Sequence, residues 1–206
     1  MIMFIDIETR ASDTMPPIES VKVPGNISKP ETILKYQQEN QVEYWKRQAL
    51  DSMAGSIICI GYAFEDGTVA TFCNTDERQV MFNFAAFIDD MGDAYNEPIT
   101  FVHWNGLSFD VPWLWRKAIQ HGFSALRTAL NKGNRHFHMD MMKEWASDFK
   151  DYVSLANCAK FLGIEHEGGA GNEIHDLWQA GDLAAIEAHC KRDLITTREI
   201  YKRIYK

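Results

Sequence analysis

Asp6 and Glu8 close an apolar run, Phe4-Ile5-Asp6-Ile7-Glu8-Thr9, and two more acids follow in separate segments. These are Asp110 in Asn105-Gly106-Leu107-Ser108-Phe109-Asp110 and Asp193 in His189-Cys190-Lys191-Arg192-Asp193. Residues two apart on a strand project to one face, so Asp6 and Glu8 point together with Phe4 deeper on that face, while Ile5 and Ile7 face the opposite layer. Two acids at the end of a buried strand do not both stay ionised without cations or hydrogen-bond donors. Four such carboxylates in one place make a pocket that is stable when it holds divalent cations. The chemistry this points to is metal-dependent hydrolysis of a phosphodiester. Asp6, Glu8, Asp110 and Asp193 would hold two Mg²⁺ or Mn²⁺ ions ~3.5–4 Å apart. His189, four residues before Asp193 and on the same helix face, would orient or deprotonate the attacking water.

Each acid has a bland alternative. A strand end emerging into solvent explains a single acid. The helix dipole favours a carboxylate at Asp110. A surface His–Asp pair explains His189 and Asp193. The functional reading therefore depends on the elements that bring them together. Residues 1–8 read as a buried strand, 11–30 as loop, 31–50 as a helix with an apolar side running from Ile33 and Leu34 to Trp45 and Ala49, and Asp51–Gly55 as a turn. Ser56–Phe64 and Thr68–Asn74 are strands joined by a hairpin turn at Glu65-Asp66-Gly67. Asp76–Asp90 is an amphipathic helix, Ile99–Trp104 a fourth strand, and Phe109–His121 a helix with Pro112 in its first turn. Residues 136–140 are a short fifth strand, Ser154–Leu162 a helix ended by Gly163, 165–175 a Gly-rich exposed segment, and Asp182–Tyr205 a long last helix. The order predicts an α/β fold, a mixed five-stranded sheet flanked by helices, forming a single domain over 1–206 with an insertion at about 11–55. Strands one and four are the natural neighbours at the sheet end where ligands bind.

The chain has 206 residues, of which 46% are hydrophobic and 24% charged, enough for a core without disulfides or a structural metal. Its four cysteines contain no C-x-x-C pair and read as reduced core thiols, although Cys59 and Cys73 lie on neighbouring strands where one bridge would fit. The net charge of −8 argues against a non-specific nucleic-acid coat, but bound cations would offset the acids of the pocket. No segment has the ~20 apolar residues of a membrane span. The expectation is a soluble cytoplasmic protein, in a bacterium or a virus-infected cell. His103, His136, His138 and Asp140 lack the partners of a zinc site; structural roles are expected there, with Asp140 reaching the acidic site as a supporting group.

Taken in order, the three acidic segments resemble the motifs of the DEDD, or DnaQ-like, 3′→5′ exonucleases of the RNase H-like fold. The second motif extends from Val102 through Leu114 as V-H-W-N-G-L-S-F-D-V-P-W-L. Together with Arg116, the Ser154–Gly163 helix and the Ala49–Gly61 segment, it is most similar to the proofreading domain of family-B DNA polymerases and its stand-alone relatives. The resemblance covers most of residues 1–8 and 49–206. It implies a two-metal 3′→5′ exonuclease removing mononucleotides from single-stranded DNA. It also implies that Thr9 contacts the terminal nucleotide and that Asn105 and Phe109 hold the strand; Trp104 would stack on a base or serve the core. Lys22, Lys29, Lys35, Lys46 and Arg47 would follow phosphates or simply line a solvated helix. The third motif departs from the family's usual Tyr-x-x-x-Asp or His-x-x-x-x-Asp: a histidine stands at the tyrosine spacing, which leaves both the general-base and the water-orienting role open for His189. Two alternatives are a 3′→5′ exoribonuclease of the same fold, distinguished only by 2′-hydroxyl contacts, and a catalytically silent nucleic-acid-binding module.

Overall fold

The computed structural model describes residues 1–95, 98–130, 137–146, 150–166 and 173–206. Five strands form one sheet: β1 (Ile2–Arg10), β2 (Ser56–Phe64), β3 (Val69–Cys73), β4 (Thr100–His103) and β5 (His138–Asp140), in the order β3-β2-β1-β4-β5. β2 pairs antiparallel with both β1 and β3, whereas β4 pairs parallel with both β1 and β5. The parallel pairing of β1 with β4 puts the carboxyl ends of both strands at the same edge, as the sequence requires if Asp6, Glu8 and Asp110 are to meet.

The helices are α1 (Pro30–Arg47), α2 (Glu77–Tyr95), α3 (Asp110–His121), α4 (Ser124–Leu130), α5 (Met141–Trp145), α6 (Leu155–Leu162), α7 (Glu173–Gln179) and α8 (Leu183–Tyr205). Strand alternation sorts the core into two layers. Met3, Ile5 and Ile7 join Val80, Phe84 and Leu114 on the α2–α3 side. Phe4, on the other face, joins Ile186, Cys190 and Leu194 on the α8 side. The termini of the site-bearing helices follow local chemistry. α3 begins without a side-chain cap and ends at Gly122 with φ 81°. The Ser154 hydroxyl accepts the Asn157 N–H to open α6, and the Asp182 carboxylate accepts the Ala185 N–H to open α8.

Several sequence expectations are corrected. β1 does not end at Glu8 but continues to Arg10, pairing Thr9 with Ile57 and Arg10 with Ser56 beyond a bulge in β2 that leaves Ile58 as the extra residue. The apolar side expected on the first helix is not buried; no residue of α1 is, and Leu34 and Val42 are exposed. Hydrogen bonds attach this helix instead. Gln37, Gln41 and Trp45, one turn apart, donate to the carbonyls of Val21, Pro16 and Ser12. The expected exposed segment 165–175 ends in the first turn of α7, where Ile174 and His175 are buried; 167–172 and His136 lie outside the described residues. α4 and α5, too short for a periodic signal, were not anticipated. All four cysteines are free thiols, including the register partners Cys59 and Cys73. No helix among the described residues is long and apolar enough to cross a membrane. The segment expected as an insertion, 11–55, leaves and re-enters the sheet at the paired residues Arg10 and Ser56.

Candidate active site

β1, the central strand, delivers Asp6 and Glu8 to one face in its carboxyl-terminal half, opposite Gly61 and Cys59. The turn after β4 delivers Asp110 in the first turn of α3, where its Oδ1 accepts the Ile7 N–H at 3.1 Å, tying α3 to β1 between the two acids. α8 crosses the same face and supplies His189 and Asp193. A cavity of about 550 Å³ opens over them, lined by Asp6, Glu8, Asp110, His189 and Asp193. The structure thus gathers all five expected catalytic residues.

The electrostatics are those of a site short of positive charge. Burial, followed by the charges of Glu8, Asp110 and Asp193, pushes the Asp6 carboxyl well above its usual range. Burial likewise raises Glu8 and Asp193, each partly offset by His189. Asp110 is pushed up to about 7 by burial, against the opposing hydrogen bonds from its own N–H and that of Ile7. Asp6 Oδ2 and Asp193 Oδ1 are enclosed and have no hydrogen-bond partner. Buried carboxylate oxygens of this kind call for cations. Arg192, outside the cavity lining, offsets the charge of Glu8 and Asp193 only in part, and hard oxygen donors of this kind fit divalent cations. Among the described residues that line the cavity there is no Lys or Arg.

His189 is held by its Nδ1, 2.7 Å from Glu8 Oε1, both side chains being buried. The ring donates there, so its proton sits on Nδ1 whenever it is neutral. Cys190 lies within 4.8 Å of Asp6 and Glu8 donor atoms. Its thiol nevertheless donates to the Asp6 carbonyl and would lie 2.6 Å from a Cβ at Gly61, so it packs under the site and does not line the cavity. Gly61 is the residue that lets α8 come this close.

Of the residues expected at substrate, Trp104, Asn105 and Phe109 line the cavity and Thr9 does not. The Thr9 hydroxyl donates to the Ala49 carbonyl at 2.6 Å. Trp104 is half-buried against the core, and its indole N–H is enclosed without a partner. Asn105 has a left-handed backbone, φ 61°. None of Lys22, Lys29, Lys35, Lys46 and Arg47 lines the acidic cavity; Lys46 pairs with Asp176 and Arg47 with Glu43. His103 and His138 have ring centroids 5.6 Å apart, but their nitrogens meet the Gly106 N–H and the Leu130 carbonyl.

Sequence reasoning missed His166, which also lines the cavity. Its Nδ1 is 3.0 Å from Thr196 Oγ1, whose own hydrogen goes to the Arg192 carbonyl. Thr196 can therefore only accept, so His166 donates from Nδ1 and its Nε2 carries the lone pair. Nothing in the sequence around a single histidine ahead of a Gly-rich stretch signals this.

The family described as "Predicted 3'-5' exonuclease related to the exonuclease domain of PolB" matches residues 53–206, a span that holds Asp110, His189 and Asp193 but not Asp6 and Glu8. No curated protein matches the chain in sequence. Among solved structures, the chain is similar to the family B DNA polymerase from the hyperthermophilic archaeon Pyrobaculum calidifontis. The TM-score is 0.57 at 14% identity, over 98% of this chain and 24% of that one. The chain thus spans about a quarter of the polymerase's length (24%), and the likeness is one of fold. The α/β fold expected from the sequence, a mixed five-stranded sheet flanked by helices, is the one observed.

Proposed function

The chain belongs to the family of predicted 3′–5′ exonucleases related to the exonuclease domain of PolB, and from that premise we propose that it is a divalent-metal-dependent 3′→5′ exonuclease acting on single-stranded DNA ends. The observation that carries the reading is the convergence of Asp6, Glu8, Asp110 and Asp193 on one cavity, with enclosed oxygens that no protein group satisfies. These four carboxylates would hold two Mg²⁺ or Mn²⁺ ions, which supply Lewis-acid activation of water and charge neutralisation at the phosphorus and the leaving 3′-oxygen.

The chain's own residues do the rest. Asp110, fixed by the Ile7 N–H, keeps a carboxylate between the two acids of β1. His189 fixes the rotamer of Glu8 through its Nδ1–H and supports that carboxylate's charge. His166, a lining residue whose Nδ1 is engaged by Thr196, would keep Nε2 as a hydrogen-bond acceptor for water. Phe109, its ring 5.8 Å from that of Trp113, offers an apolar surface for a sugar or base, and Trp104 lines the same cavity with its ring. Thr9, its hydroxyl engaged by Ala49 and its backbone in register with Ile57, takes no part in this reading.

The test is a time course on 3′- and 5′-labelled single-stranded DNA and RNA with Mg²⁺, Mn²⁺ or EDTA, beside Asp6→Ala. A metal-dependent ladder shortening from the 3′ end of DNA, absent in Asp6→Ala, is expected. A ladder on RNA alone would move the substrate to RNA. Binding without any cleavage would overturn the catalytic reading.

A further inference from the structure

We infer that Asp140, together with His103, is a positioning residue of this site, acting through the turn that carries Asn105, Phe109 and Asp110. Asp140 does not line the cavity. It ends β5, and in the parallel β4–β5 pairing it stands directly beside His103, the last residue of β4. Both are buried, at 3% and 0% exposure. The chain leaving β4 passes over these two side chains, and they capture three consecutive backbone amides. The Asn105 N–H donates to Asp140 Oδ1 at 2.9 Å, the Gly106 N–H to His103 Nδ1 at 3.1 Å, and the Leu107 N–H to Asp140 Oδ2 at 3.1 Å. The turn then closes on itself, with the N–H groups of Ser108 and Phe109 donating to the Asn105 carbonyl and that of Val111 to the Gly106 carbonyl.

Every element of this frame is specific to its residue. The two Asp140 oxygens serve two different amides, so an asparagine would set its own NH₂ against a backbone N–H. His103 accepts at Nδ1 and must therefore be neutral with its proton on Nε2; an imidazolium would oppose N–H to N–H. A Cβ on Gly106 would come within 2.3 Å of His103 Cγ, so a glycine alone lets the backbone lie on the ring. The far end of the same turn is Asp110, whose Oδ1 meets the Ile7 N–H. The frame thus sets the position of one proposed metal ligand and of two cavity-lining residues from beneath, without touching substrate.

The consequence for catalysis rests on the nuclease reading above, but the frame itself is tested independently of it. In metal-free Asp140→Asn protein, the backbone ¹H–¹⁵N signals of Asn105 and Leu107 should shift upfield and lose exchange protection. Mn²⁺ affinity by calorimetry and kcat on single-stranded DNA should each fall about 10–100-fold, the range for groups that orient metal ligands. KM for DNA should change far less than kcat. A merely structural role would lower the folded fraction and scale kcat with it, leaving Mn²⁺ affinity per folded molecule unchanged; that outcome overturns the inference. Should Asp140→Asn not fold, hydrogen exchange in the wild-type protein decides: amides of 105–107 exchanging like an open loop also overturn it. Asp110→Asn is the control. If it stays active, the nuclease site is misassigned. If it is inactive while Asp140→Asn equals wild type, the positioning role alone fails.

Discussion

Replacing Asp110 with Asn separates the charge of this carboxylate from its shape. The Asn Oδ1 can still accept the Ile7 N–H, now made at 3.1 Å. What disappears is a negative charge whose carboxyl is pushed up to about 7 by burial. A free aspartate titrates at ~3.9, and each unit of difference is about 1.4 kcal/mol. Because the folded value lies above the unfolded one, the folded state holds the proton more tightly, so wild-type stability is highest below ~4 and declines as pH rises towards 7. At pH 8 in EDTA the ionised group therefore opposes folding by up to about 4 kcal/mol. The buried Asn amide forfeits roughly 1–2 kcal/mol of that gain through unmet donors. The metal-free variant should then be about 2 kcal/mol more stable than wild type, a Tm higher by roughly 4–8 °C for a domain of this size. At pH 5 most of the difference should vanish, since wild-type Asp110 is protonated there. With Mg²⁺ the order should reverse, and hydrolysis should fall by at least about 10²-fold. Thermal melts at pH 5 and pH 8, with Mg²⁺ or EDTA, read all of this in one plate. A variant less stable than wild type at pH 8 in EDTA, or one that gains as much as wild type from Mg²⁺, refutes the claim that burial makes the ionised Asp110 unfavourable until a cation joins it.

Three further outcomes follow from the same geometry. Gly61→Ala places a Cβ 2.5 Å from Leu194 Cδ1 and 2.6 Å from Cys190 Sγ; urea unfolding should show a loss of ~1–3 kcal/mol, and the displaced α8 should lower kcat beyond the loss of folded protein, with Cys190→Ala recovering part of both. Because no Lys or Arg among the described residues lines the acidic cavity, single-stranded DNA binding by fluorescence anisotropy should collapse in EDTA and return with Ca²⁺, a cation of the same preference for oxygen; tight metal-free binding would place the substrate elsewhere. His189→Ala leaves buried Glu8 without its 2.7 Å partner, so Mn²⁺ affinity measured by calorimetry should drop ~10–100-fold; unchanged affinity would mean that the imidazole does not orient Glu8.

The parts of the fold that were legible in the sequence are those set by local rules. Alternation over Phe4–Ile7 fixed which side chains enter which layer, the Gly163 stop ended its helix, and the Glu65–Gly67 turn joined β2 to β3. The illegible parts depend on partners far along the chain. α1 has the periodicity of a packed helix yet buries nothing, because the groups that receive it are carbonyls of Ser12, Pro16 and Val21, and a carbonyl leaves no trace in residue type. α5 is five residues long and follows β5 directly, too short for any period to show.

The site divides along the same line. Its four acids were readable because each stands at a position whose direction local geometry determines: two apart on a strand, in the first turn of a helix, on one helix face. Their supports were not. The bulge at Ile58 exists only in the register of β2 against β1, and it falls between the partners of Glu8 and Thr9. His166 belongs to the site through a contact with Thr196, thirty positions away. Asp140 was readable as a strand-end acid that supports the acidic site, but its work with His103 appears once β4 and β5 lie in register. Carboxylates gathered in this way repel, and no single element would hold them still. It takes the Ile7 N–H, the His189 ring and the framed turn, each from a different element, to keep four like charges converging on one cavity; the positions are therefore a property of the tertiary fold, while the chemistry they serve is a property of the residues.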